Sequence, residues 1–137
     1  MKLLNSQVLL VDRRLATIIG FNEALVLQQI DYRLEVNKKN NRNFHEGKYW
    51  THNSYEGWQE EFPFWSISTI KRIFKKLRDM KLLEVGNFNT YKMNQTLWYT
   101  NNYEEVNKLY SVESENIESL PKDKNIDREA QNNQTTR

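Results

Sequence analysis

The hydrophobic pattern predicts an α+β fold, mainly α, and three observations predict it. Between Trp65 and Lys81 the chain reads WSISTIKRIFKKLRDMK, with its apolar residues recurring at helical spacing. From Glu23 to about Val36, Val26, Leu27, Ile30 and Leu34 keep the same period. Two β-rich runs, Leu82–Gly86 and Gln95–Thr100, close the ordered region around a loop rich in asparagine.

Each element can be justified in chain order. Val8–Ile19 (VLLVDRRLATII) begins as an apolar run and ends in a short helical turn stopped by Gly20. Asn22 is the expected N-cap of the next helix, where Ala24, Leu25 and Tyr32 widen the apolar stripe enough to make it the central helix. Lys38–Gly47 (KKNNRNFHEG) is polar and closed by glycine, so it predicts a loop holding three bases, Lys38, Lys39 and Arg42. Lys48–Thr51 follows as a short strand. Asn53 and Glu56 have the spacing of a capping box, and Tyr55, Trp58 and Phe62 give the helix after it one aromatic face. Pro63 ends that helix, because the residue before a proline is pushed out of the α region.

The basic helix comes next, with Ser66 as its N-cap, since a serine oxygen accepts from the otherwise unpaired first-turn amides. Ile70, Ile73, Phe74 and Leu77 fall on one side, with Ile67 and Met80 at the margins. Ser68, Arg72 and Lys75 fall on the other, flanked by Thr69, Lys71 and Lys76. A short helix, a tight Pro63-Phe64-Trp65 turn and this helix make a helix-turn-helix pattern. With Asn87–Asn94 (NFNTYKMN) as a hairpin loop, the order helix, strand, helix, helix, strand, strand is that of a winged helix-turn-helix with a small antiparallel β-hairpin wing. From Ser111 onward there is no aromatic residue and no sustained period, which predicts a disordered tail. The expected organisation is a winged-helix DNA-binding domain at 1–110 and a disordered acidic, polar tail or linker at 111–137.

Composition limits function. The chain of 137 residues has no cysteine, which removes disulfides, thiolate zinc sites, iron–sulfur ligation and cysteine nucleophiles together. Four Trp, seven Tyr and six Phe supply much of the area of a small core, so Trp50, Trp58, Trp65 and Trp98 are expected to pack inside rather than stack on unpaired bases. No run of ten apolar residues exists, which argues against a membrane span or a signal-peptide core and leads to the expectation of a cytoplasmic protein with no membrane partner. His45 and His52 lack carboxylates at metal-ligand spacing, Glu60-Glu61 reads as a solvated helix end, and four scattered glycines form no phosphate-binding loop. The expectation is no enzyme, no metal and no cofactor.

Charge points to a partner. The net charge of +2 divides into −3 over residues 104–137, with eight acids and five bases, and +5 over residues 1–103. Ser66–Lys81 alone holds six bases against one acid, whereas a merely solvated face mixes the two signs. Double-stranded DNA is therefore the expected partner. In the major groove Ser68, Thr69 and Arg72 are the candidates for base edges, with Ser66 opening the helix beside them. Arg72 leads, because a guanidinium bonds guanine bidentately, a contact worth about 1–3 kcal/mol of discrimination. Lys71, Lys75 and Lys76 are assigned to phosphate. Lys92 on the wing, with Asn87, Asn89 and Thr90, is assigned to the adjacent minor groove or backbone.

The residues Ile19-Gly20-Phe21-Asn22-Glu23-Ala24-Leu25-Val26-Leu27-Gln28-Gln29-Ile30, Lys48-Tyr49-Trp50, Trp58, Phe62-Pro63-Phe64-Trp65-Ser66, Thr69-Ile70-Lys71-Arg72 and Leu97-Trp98-Tyr99-Thr100 carry a resemblance. Over roughly residues 8–103 the chain resembles the amino-terminal winged-helix domain of phage and plasmid replication proteins of low-GC Gram-positive bacteria, of the DnaD-like replisome organiser type. The resemblance implies origin recognition in replication initiation, with host replication proteins such as a helicase loader as further partners. The chain departs from that pattern after Tyr110, where only a short polar tail takes the place of a second region. A homodimer is compatible with recognition of two half-sites, with Leu3–Val11 as the candidate interface. The alternatives are a transcriptional regulator, or a phage protein-binding module that inhibits or recruits a host factor.

Overall fold

The computed structural model describes residues 7–119 apart from Lys92 and Gln95. The described residues form an α+β arrangement, mostly helical, of five helices and two small antiparallel sheets. The chain divides into two units, Met1–Asn107 and Lys108–Arg137. The order is α1 (Arg13–Ile19), α2 (Phe21–Lys39), β1 (Phe44–His45), β2 (Lys48–Tyr49), β3 (Thr51–Asn53), α3 (Tyr55–Glu61), α4 (Ile67–Asp79), β4 (Leu83–Gly86), β5 (Leu97–Asn101) and α5 (Tyr103–Ser119). No helix among the described residues is long and apolar enough to cross a membrane.

Helix α2 is central, as its wide stripe predicts: Ala24, Leu25, Val26, Leu27, Ile30 and Leu34 are all buried. Tyr32 departs from that expectation and is exposed. Helix α1 is only seven residues long and reaches the level of Gln28, whose Oε1 accepts from the Asp12 N–H, so a side chain one turn further along α2 is left uncovered. Asn22 is not the N-cap. Gly20, at φ 110° and ψ 148°, ends α1 and starts α2 at once, donating its N–H to Ala16 O (2.9 Å) and accepting at its own carbonyl from Ala24 (2.9 Å). The sharp reversal at glycine leaves no room for a separate capping residue.

The expected loop at 38–47 holds regular structure. Helix α2 runs through Lys39, and β1 pairs with β2 in a hairpin whose two turn residues, Glu46 and Gly47, both have positive φ (53° and 78°), the condition for a type I′ turn. The expected strand at 48–51 breaks at Trp50, which donates its N–H to Asn43 O and its indole N–H to His45 O, both at 2.9 Å, before β3 begins. The cap of α3 is Ser54 rather than Asn53, its Oγ accepting from the Gly57 N–H at 3.0 Å. Asn53 is the last residue of β3, paired with Leu97, so its backbone is committed to the sheet.

Helix α4 starts and packs as expected, with Ser66 as cap and Ile70, Ile73, Phe74 and Leu77 as its buried side. It ends in a Schellman arrangement: Lys81 takes the left-handed position (φ 65°), its N–H donates to Arg78 O, and the Leu82 N–H donates to Leu77 O. The chain then enters β4 directly. Strand β5 is the middle of the sheet β3-β5-β4, with Tyr99 opposite both Thr51 and Val85. Thr51 and Tyr99 face the helices, while His52, Trp98 and Gly86 lie on the other side of the sheet. Polar ties fix α2 to this sheet, since Asn37 donates to Trp50 O (2.7 Å) and Asn101 donates to Leu27 O (3.0 Å).

The tail expectation needs correction at its start. Helix α5 continues to Ser119, covering the first nine residues of the segment expected to be disordered; residues 120–137 lie outside the described ones. No glycine or proline interrupts 103–119, the first breaker being Pro121. Asn102 accepts from the Glu105 N–H, and Glu104 and Glu105 suit the positive end of the helix dipole.

Replacing Gly20 by alanine should be costly. Its backbone lies where only glycine sits without strain, and a Cβ there runs into the Glu23 carboxylate. Urea denaturation of Gly20→Ala is expected to show a loss of about 1–3 kcal/mol.

Candidate nucleic-acid interface

The candidate interface is the outer side of α4, and its orientation is set from beneath. Phe74 lies 5.4 Å from Trp58 of α3 and 5.2 Å from Tyr99 of β5, near edge-on to the latter, with Trp58 and Tyr99 themselves 5.9 Å apart. All three are buried, so α3, α4 and the sheet meet on one aromatic contact. The turn between α3 and α4 is braced in the same way. Phe62 is fully buried with Trp65 5.1 Å away, the Trp65 N–H donates to Phe62 O (3.1 Å), and Gln59 donates to Trp65 O (3.1 Å).

On the outer side, Ser66, Ser68, Lys71, Arg72, Lys75 and Lys76 are exposed and Thr69 is half-buried. The sequence assigns Ser68, Thr69 and Arg72 to base edges and Lys71, Lys75 and Lys76 to phosphate, and their surroundings divide them differently. Ser66 is committed to the cap: its Oγ accepts from the Thr69 N–H and donates to Thr69 Oγ1, both at 3.1 Å. Lys71 lies over the Tyr55 ring, 5.2 Å from its centre. Lys75 pairs with Asp79 at 2.8 Å, a solvated i,i+4 pair of the kind worth only a few tenths of a kcal/mol, about 0.3–0.5. Lys76 pairs at 3.4 Å with Glu23, whose side chain is only 10% exposed, and so ties α4 to the start of α2. Arg72 and Ser68 make no side-chain hydrogen bond or ion pair among the described residues. Lys92 lies outside the described residues.

Of the expected polar wing residues, Asn89 is engaged within the loop and with β5, while Asn87 and Thr90 are exposed. Asn87 Oδ1 accepts from the Asn89 N–H at 3.0 Å. Asn89 donates to Asn94 O (2.9 Å) and Thr96 O (2.8 Å) and accepts from the Trp98 indole (2.8 Å). Thr90 remains exposed. In the other basic segment, Arg42 donates to Asn37 Oδ1 (3.2 Å) while Lys38 and Lys39 belong to the last turn of α2. Trp50, Trp58 and Trp98 are buried and Trp65 is half-buried, as core packing requires. In the candidate dimer segment Val8 and Leu10 are exposed, and Leu3–Ser6 lie outside the described residues.

A polar network that the sequence does not announce supports the site. Arg33 of α2 pairs with Glu61 of α3, donates to Thr51 Oγ1 (2.7 Å) and to His52 O (3.0 Å), and its guanidinium carbon sits 4.8 Å from the Trp58 ring centre. Gln29 donates to the second Glu61 oxygen at 2.8 Å. Glu61 is therefore not the solvated helix end expected of the Glu60-Glu61 pair, but the acceptor that joins α2, β3 and α3. Asn53 donates to it from eight residues away (3.4 Å), but Arg33 and Gln29 lie 28 and 32 residues away, beyond the reach of any local pattern. Among the described residues no group of three or more His, Cys, Asp or Glu side chains is placed to hold a metal ion.

Two measurements check this support. Glu61→Ala leaves Arg33 without its carboxylate against the core and should lower stability by about 1.5–3 kcal/mol in denaturant titration. Partial burial, and then the Arg33 charge, hold the His52 imidazole below its ordinary pKa. The fold thus favours the neutral ring and the unfolded chain takes up the proton first, so stability is full above about pH 6.5 and declines as pH falls through it. His52→Gln should flatten that decline. Comparison of the chain with protein-family models, with curated proteins and with solved structures finds no match.

Proposed function

We propose that this chain is a winged-helix module that binds double-stranded DNA through α4, acting at the replication origin of a phage or plasmid. The observation that carries the reading is the division of α4: four apolar residues buried on one side, and on the other an exposed run of Ser68, Lys71, Arg72 and Lys75 with Arg72 uncommitted among the described residues. The order α2, β3, α3, α4, β4, β5 supports the winged-helix assignment, and the resemblance of residues 8–103 to phage and plasmid replication proteins supports the origin.

The mechanism follows from the commitments of each side chain. Helix α4 has 13 residues, about 20 Å of length at 1.5 Å per residue, and enters the major groove N-terminus first. Ser68 and Arg72, one turn apart, face base edges. Lys75 exchanges Asp79 for phosphate at little cost, because a solvated pair contributes so little. Lys76 stays with Glu23 and holds the angle of the helix. Lys71 is steered by Tyr55 toward the backbone. Specificity thus rests on Arg72, and much of the affinity on charge.

Duplex enriched by the wild-type protein from a random pool should be bound with an affinity that falls by about 0.9 log units per log unit of salt for each phosphate neutralised. Arg72→Ala should lose about 1–3 kcal/mol of sequence discrimination. Lys75→Ala should weaken all duplexes alike and reduce the salt slope by about 1. Absence of duplex binding at low salt would overturn the proposal and turn the search toward an acidic protein partner.

A further inference from the structure

The exposed side of α2 adjoins two clefts, and Glu35 lines both of them. The larger, of about 1200 Å³, is bounded by Tyr32, by Glu60, Pro63 and Phe64 at the end of α3 and the turn after it, and by Leu10 from the segment before α1. The smaller, of about 550 Å³, is bounded by Phe44 of the β1–β2 hairpin and Tyr103 at the start of α5. A hydrogen bond links the two, since the Tyr103 hydroxyl donates at 2.6 Å to Oδ1 of Asp31, which lines the larger cleft.

Two properties set this surface apart from the outer side of α4. The first is its exposed rings: Tyr32, Phe44, Phe64 and Tyr103 are each between 46% and 62% exposed. They are carried on ordered neighbours, with Phe64 5.0 Å from Trp65 and 6.3 Å from the buried Phe62, and Phe44 4.9 Å from Tyr49. Bare rings gathered around adjoining clefts mark a surface that meets a partner, and aromatic side chains are enriched at such interfaces. The second is the sign of its charge. Arg33 is bound to Glu61 and Lys48 to Glu84, which leaves Asp31, Glu35, Glu60 and Glu104 against Lys38 among the described lining residues. Asp31, Glu35 and Glu60 thus make an acidic surface within residues 1–103, whose balance is +5.

We propose that the exposed side of α2 with its two clefts is a docking surface for a basic, apolar segment of a protein partner. Lysines or arginines of that segment meet Glu35 and Glu60, and its apolar side chains enter the cleft that Tyr32 and Phe64 line. The charge selects the occupant. Duplex DNA, charged at every phosphate, is repelled by these carboxylates, so this surface and α4 take different partners. A second copy of the chain fits poorly, because a two-fold contact would set the same carboxylates against one another. The inference does not rest on DNA binding by α4.

The test pans the full chain against short random peptides displayed on phage and measures the enriched peptides by fluorescence anisotropy. Enriched peptides should combine lysine or arginine with apolar residues, and their affinity should fall as salt rises. Glu35→Lys with Glu60→Lys, and separately Tyr32→Ser with Phe64→Ser, should each weaken binding by about tenfold or more. Arg72→Ala should bind the peptides like wild type, and circular dichroism of every variant should match wild type because all the altered side chains are exposed. Failure to enrich a basic peptide, or enriched peptides that either double variant binds as wild type does, overturns the docking surface and leaves the DNA-binding proposal standing. A dimer in sedimentation equilibrium that Tyr32→Ser with Phe64→Ser dissolves also overturns it, by assigning the surface to a second copy.

Discussion

The contact of Phe74 with Trp58 and Tyr99 is the constraint on which the rest of this structure depends. Three rings from α4, α3 and β5 meet within 6 Å, each turned partly or fully edge-on to the next. Such contacts are directional as well as apolar, so they fix the rotation of α4 about its own axis and not only its distance from the core. Were α4 free to roll by one residue, about 100°, its basic side would no longer be a side. Trp58 serves twice, since its other neighbour is the Arg33 guanidinium, which draws Glu61, Thr51 and Gln29 into one network. The aromatic contact joins α3 to α4 and β5, the polar network joins α3 to α2 and β3, and the two meet at Trp58.

The charges of α4 show how a fold makes unequal residues out of similar ones. Six bases lie between Ser66 and Lys81, and the three lysines Lys71, Lys75 and Lys76 share one assignment in sequence. In three dimensions Lys76 is bound to a largely buried glutamate, Lys71 rests on a ring, and Lys75 holds an exposed aspartate. Arg72 is left with its full set of donors, in a rigid planar fork suited to a bidentate acceptor. Partition of this kind separates residues that set the angle of the helix from residues that meet what it binds.

The β4–β5 loop carries the same lesson with the opposite sign. Its polar residues bond to the loop itself, because asparagine at a turn satisfies nearby backbone groups before it can reach outward. Phe88 packs against Trp50 and Trp98, and the exposed surface of the described loop mixes Asn87, Thr90 and Asn94 with Tyr91 and Met93.

The sequence by itself determined the elements that rest on short-range periodicity and capping: the buried side of α4 residue by residue, its cap at Ser66, the centrality of α2, and two strands closing on a hairpin. These are decided within a few turns of chain, where a 3.6-residue period or a serine oxygen has no competitor. It missed the β1–β2 hairpin, because two-residue strands leave no period to read, and it set the cap of α3 one residue early, because Asn53 is claimed by pairing with Leu97. Tyr32 counted as core until the length of α1 determined what could be covered. The tertiary structure alone decided that Glu61 anchors a network, that Lys76 answers to Glu23 and that Arg72 does not answer to any described residue. Each of those outcomes depends on a partner tens of residues away or on its absence, and only the closed fold brings such partners within bonding distance.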